Sequence, residues 1–62
     1  MFYSIAIKKI DDTMQITKFR DLVLDQAEEL SEGIWMGTAP RDDWAGVAVL
    51  DEKGEIYSEL EW

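Results

Sequence analysis

The stretch MQITKF, residues 14–19, admits two readings, and the fold turns on which one holds. As a strand it returns from FYSIAIKKI, residues 2–10, with Met14 and Ile16 meeting Ile5 and Ile7 in a hairpin. As part of a helix, Ile16, Phe19, Val23, Ala27 and Leu30 step by three and four and form one apolar stripe. Ile16, Thr17 and Phe19 favour extended backbone, while Thr17 and Lys18 add little to a helix. The strand reading is preferred, and the helical one stands as its alternative.

Upstream, Tyr3, Ile5 and Ile7 alternate with Ser4, Ala6 and Lys8, the period-two mark of a half-buried strand. The Asp11-Asp12 pair that follows is turn chemistry. Downstream, DLVLDQAEELSEG predicts a helix with Asp21 as N-cap, an inward face of Val23, Ala27 and Leu30, and Gly33 as its stop. The remainder reads as a meander. Ile34–Ala39 is a strand, Pro40 to Asp43 a turn, and Trp44–Leu50 a second strand that is apolar on both faces and therefore central. DEKG, residues 51–54, makes a hairpin loop in which Gly54 supplies a positive φ. In the last strand Ile56, Leu60 and Trp62 point inward, and Glu55, Tyr57, Glu59 and Glu61 point outward.

The expected architecture is α+β within a single domain, residues 1–62: one helix on an antiparallel sheet of four to five strands, ordered β-β-α-β-β-β. The first alternative is β-α-β-β-β. A chain of 62 residues lies near the lower limit for folding alone, but apolar residues make up 47% of it, too many for a disordered acidic tail. No apolar run approaches the ~20 residues of a membrane span.

Fourteen acids face six bases, giving a net charge of -8. Such a surface repels nucleic acid and anionic lipid and attracts a basic partner. Catalysis is poorly provided for: His and Cys are absent, and no imidazole is available to activate Ser4, Ser31 or Ser58. Neither GxxxxGK[ST] nor GxGxxG occurs, and Lys53 occupies a ligand position of the nearest approach to a calcium loop. The expectation is a non-enzymatic protein with no cofactor and no dedicated metal site.

The acids are distributed with a bias. Asp21, Asp25, Glu28, Glu29 and Glu32 lie opposite the apolar face of the predicted helix, and no base interrupts them between Arg20 and Arg41. Asp21/Asp25, Asp25/Glu29 and Glu28/Glu32 are like-charge neighbours, each costing about a few tenths of a kcal/mol. On the last strand, outward carboxylates at Glu55, Glu59 and Glu61 fall on a repeat of about 6.7 Å, two strand rises. DNA phosphates have a comparable separation, so a rigid carboxylate ladder suits a surface made for phosphates. The plain alternative is that these are the solvated faces of an acidic protein.

Trp44, beside Asp42 and Asp43 in a turn, is the best candidate among three tryptophans for an exposed interface anchor. Met36 and Tyr57 are candidates to join it. With its acidic helix at DLVLDQAEELSEG and closing hairpin through DEKGEIYSELEW, the layout resembles the small phage-encoded anti-defence proteins, in particular anti-CRISPR inhibitors. That resemblance implies a stoichiometric inhibitor, acting in the cytoplasm of a bacterial host. Its partner would be a basic nucleic-acid-binding protein or a CRISPR effector complex, with Asp21, Asp25, Glu28, Glu29, Glu32, Glu55, Glu59 and Glu61 standing in for phosphates. A small assembly module that forms a homodimer, its charge serving solubility, is the alternative.

Overall fold

The computed structural model describes residues 1–62. Four strands and one helix follow the order β1 (Ser4–Lys9), β2 (Met14–Ile16), α1 (Leu24–Gly37), β3 (Trp44–Leu50) and β4 (Ile56–Glu61). All pairings are antiparallel, and the sheet order is β2-β1-β3-β4. The protein is therefore α+β, with one helix laid on a four-stranded sheet. That helix is too short and too polar to cross a membrane.

Met14–Ile16 is a strand, so the hairpin of the opening stretch forms over its first half, but its register differs by one residue: Met14 faces Lys8 and Ile16 faces Ala6, which puts both on the sheet face opposite Ile5 and Ile7 rather than against them. The Asp11 carboxylate closes the turn by accepting from the Thr13 N–H at 3.1 Å and its hydroxyl at 2.6 Å, and Asp12 takes a positive φ of 67°. Thr17 still donates its backbone N–H to the Ile5 carbonyl at 3.1 Å, and beyond it the chain leaves the ladder without becoming helical. The Thr17 hydroxyl donates to the Ile5 carbonyl at 2.7 Å and accepts from the Phe19 N–H at 3.1 Å, a local turn that brings the Phe19 carbonyl onto the Ile5 N–H. Leu22 then exchanges two backbone bonds with Tyr3, at 2.7 and 3.0 Å.

That last bridge explains why the helix starts later than expected. Leu22 has committed its N–H and carbonyl to Tyr3 and cannot contribute to a helical turn. Asp21 is held at a φ of 59° rather than acting as N-cap, and Val23 occupies the cap with no side-chain bond. The helix also ends later. Gly33 sits on the exposed side and does not stop it, because Ile34 and Trp35 continue the inward stripe of Ala27, Leu30 and Ser31 at helical spacing. The expected strand at Ile34–Ala39 is thus absent, and its first four residues form the last turn of α1.

Two clusters lie on the two faces of the sheet. Ile5, Ile7, Val47 and Val49 pack with Ala27 under the helix, bordered by Phe19, Leu30, Ile34 and the tryptophans. Ala6, Ala48 and Leu50 form the other cluster, with Met14 against them and no element above. Strand β3 is central and apolar on both sides, as its sequence indicates. Ala6 and Ala48 are fully buried on the uncovered face because they are small and their neighbours are long. Lys8 on β1 reaches Glu59 on β4 at 3.3 Å, passing over β3, where Gly46 and Ala48 leave the way clear. Gly46 is required there for a second reason: a Cβ at this position would lie 2.6 Å from the Leu60 carbonyl oxygen.

Hairpin β3–β4 turns where DEKG predicts. The Asp51 carboxylate accepts from the N–H groups of Lys53 and Glu55 at 2.9 and 3.0 Å, and Gly54 has a φ of 81°. The register then shifts by one residue between Val49 and Leu50: Leu50 faces Ile56, yet Val49 faces Ser58. This bulge turns the start of β4 over. Ile56, expected inward, lies on the uncovered face opposite Leu50 and is 46% exposed. Tyr57, expected outward, is 51% exposed and leans edge-on against Tyr3 with ring centroids 5.3 Å apart.

Candidate acidic interaction surface

The residues expected to share one acidic surface occupy several. On α1, Asp25, Glu28, Glu29 and Glu32 are all exposed; Asp25 and Glu29 lie opposite the buried Ala27, and Glu28 and Glu32 flank the buried Ser31. At 100° per residue, Asp25, Glu29, Glu32 and Met36 fall on one stripe, with Glu28 flanking it. The stripe therefore ends on an apolar side chain, since Met36 is 71% exposed. No basic residue occurs in the helix, and neither of the protein's two ion pairs involves it. The helix thus presents four carboxylates without a counter-charge, the unbalanced arrangement apparent in the sequence.

Glu59 and Glu61 belong to the opposite side of the sheet. Both sit on the uncovered face, in register with Ala48 and Gly46, and Glu59 is tied to Lys8. Glu55 lies in the loop before β4, where its backbone N–H is bound to Asp51. The bulge removes Tyr57 from their row. An unbroken ladder of Glu55, Tyr57, Glu59 and Glu61 is therefore not present.

Asp21 lies in the segment before α1, lining a surface depression with Arg20. In the turn before β3, Asp42 is exposed and Asp43 accepts from Lys9 at 2.8 Å. That hydrogen bond, with the attraction of the Lys9 ammonium, holds the Asp43 carboxyl below the ordinary aspartate range. Asp11 is lowered as well, chiefly by its bond from the Thr13 hydroxyl. No three carboxylates converge closely enough to hold a metal ion.

Trp44 is not a free anchor. It begins β3, is half-buried, and stacks on Trp62 with centroids 5.8 Å apart and planes 21° from parallel. The Arg41 guanidinium lies 5.5 Å from the Trp44 ring centroid. Trp62 donates its indole N–H to the Trp35 carbonyl at 3.0 Å, and Trp35 donates its own to the Glu61 carbonyl at 2.9 Å. The tryptophans therefore fasten the end of β4 to α1.

One feature of this surface is absent from any single-element pattern. Glu28, Ser31 and Glu32 from α1 and Ser58, Glu59 and Leu60 from β4 line a groove of about 220 Å³ along the outer edge of the sheet. The acids of DLVLDQAEELSEG announce its helical side. Its strand side depends on which strand is last in the sheet, a matter of topology. No family model, curated protein or solved structure matches this chain.

Proposed function

We propose that the protein is a non-enzymatic acidic inhibitor that occupies the basic nucleic-acid-binding surface of a partner, with the outer face of α1 set where phosphates would lie. The supporting observation is the unpaired state of Asp25, Glu28, Glu29 and Glu32 on that face. Carboxylates bound to lysines within the same molecule would have little charge to offer a partner. Residues four apart on the helix are separated by about 6 Å along its axis, a spacing comparable to that of successive phosphates along a strand. Met36 at the end of the stripe adds an apolar contact. Basic channels of bacterial defence effectors, CRISPR complexes among them, are the class of target that suits this surface.

The deciding experiment is capture by the tagged protein from a bacterial lysate carrying CRISPR and restriction systems, with the bound complex challenged by duplex DNA and by salt. Competitive displacement by DNA, together with loss of capture by the Glu28→Lys, Glu29→Lys double variant, supports the proposal. Capture that is indifferent to DNA and to the double variant refutes it.

A second reading, an assembly module, is favoured by the uncovered sheet face, where Ile16 and Ile56 are exposed around Ala6, Ala48 and Leu50. Stacking two such faces would make a homodimer. Sedimentation equilibrium distinguishes the readings: a dimer lost in an Ile16→Lys, Ile56→Lys variant supports assembly, and a monomer at all concentrations opposes it.

A further inference from the structure

The outer edge of β4 is unpaired along most of its length. The Trp62 N–H donates to the Ala45 carbonyl at 3.0 Å, which makes this an inward-bonding position; stepping back by two, Leu60 and Ser58 also turn their backbone groups to β3. Glu59 and Glu61 consequently turn theirs outward. The Glu61 carbonyl accepts from Trp35 at 2.9 Å, which confirms the direction and uses the one outward acceptor that α1 can reach. The Glu59 N–H and carbonyl and the Glu61 N–H have no strand beside them.

We infer that this edge accepts an extended, lysine- or arginine-bearing segment of a partner protein as an added strand, seated in the groove between β4 and α1. Charge selects the occupant. On the helix side the groove carries the unpaired Glu28 and Glu32; on the uncovered side Glu61 stands unpaired along β4, while Glu59 is already engaged by Lys8 at 3.3 Å. A second copy of the chain paired through β4 would bring carboxylates against carboxylates, an arrangement that destabilises a sheet. A basic segment meets opposite charge on both faces. The spacing also agrees: Glu28 and Glu32 lie about 6 Å apart along the helix, and same-face residues of an extended strand repeat at about 6.6 Å. Consecutive cations on one face of the segment thus meet consecutive carboxylates. Main-chain pairing supplies the binding mode common to strand addition, and the acids supply selectivity.

This inference uses the acids invoked above but does not require the partner to bind nucleic acid. The probe is a capped peptide, Lys-Thr-Lys-Val-Lys-Thr-Lys, compared with a version of equal charge that is N-methylated at alternate residues. Amide exchange is followed by NMR in the intact protein. The expected result is exchange at Glu59 and Glu61 slowed by about tenfold or more with saturating peptide, and affinity weakened about tenfold by N-methylation, the effect of losing one or two hydrogen bonds. Glu28→Gln with Glu32→Gln, which leaves the sheet edge intact, should weaken the unmodified peptide while preserving the exchange pattern of the free protein. Equal affinity for the two peptides, or unchanged exchange at Glu59 and Glu61 under saturation, overturns strand addition. Salt-sensitive binding of both peptides without protection would overturn it while leaving charge mimicry by α1 intact.

Discussion

Trp35 and Trp62 are joined by paired donations: the indole of Trp62 bonds to the Trp35 carbonyl, and that of Trp35 bonds to the carbonyl of Glu61, the neighbour of Trp62. The two bonds cross-link the last turn of α1 to the end of β4. Trp62 also stacks on Trp44, so one side chain connects the helix to two strands.

Replacing Trp35 with Phe keeps most of the ring and removes the donor, so unfolding free energy should fall by about 0.5–1.5 kcal/mol. Trp62→Phe should cost at least as much, because its stacking on Trp44 is weakened as well. The double variant should lose less than the sum, since either change loosens the same junction. Urea denaturation of the three variants measures all of these effects.

Gly46→Ala should destabilise by about 1–3 kcal/mol, as β3 and β4 shift to admit a methyl group aimed at the Leu60 carbonyl. Gly54→Ala meets no neighbour, but its φ of 81° should cost about 1–2 kcal/mol. Gly54→Asn should cost less, because asparagine tolerates that region. Thermal melts of the three variants separate steric from conformational strain.

Glu29→Lys places a cation four residues after Asp25 and converts a like-charge pair into an attractive one. The helix should gain about 0.2–0.5 kcal/mol for that pair. Binding to a basic partner should weaken in the same variant. A stability gain coupled to an affinity loss, from denaturation and titration of one protein, would show that the acids serve recognition at the expense of the fold. If both fell together, the effect would be structural.

Asp43 and Asp11 should titrate below the ordinary aspartate range when followed by carboxyl NMR. Their folded values are depressed, so the stabilisation they contribute is present above the unfolded aspartate pKa. It is lost as pH falls through the lower folded values. Lys9→Met should return Asp43 towards the ordinary range without moving Asp11 to the same extent, and Thr13→Val should do the reverse.

Elements defined by local chemistry were legible in the sequence. DEKG turns because Asp51 caps its own loop and Gly54 permits a positive φ, both properties of a few adjacent residues. The alternation of Ser4 to Lys8 and the apolar run of β3 likewise place those strands correctly. Sequence and structure part where a distant partner decides. Asp21 has the composition of an N-cap, but the bridge between Leu22 and Tyr3 holds the chain extended. Ile34 and Trp35 favour strands, yet they continue a stripe begun at Ala27. The bulge opposite Val49 and Leu50 has no signature beyond Ser58 lying in an otherwise apolar row, and it dismantles the predicted carboxylate ladder. The exposed row of acids on α1 is legible because helical periodicity is a local property. Its separation from Glu59 and Glu61 is not, because that depends on which face of the sheet the helix covers.

The sheet order β2-β1-β3-β4 has a consequence for the assembly of the chain during synthesis. Strands β1 and β2 close over a short turn, as do β3 and β4, but β1 meets β3 only after everything from Ile10 to Asp43 has been made. The segment from Met14 to Leu22 protects one margin of β1 early, while the other waits with Ile5, Ala6 and Ile7 uncovered. Joining the two hairpins is thus the step that fixes most non-local contacts and sets the folding rate. A chain cut short before Trp44 would expose an apolar margin open to intermolecular pairing.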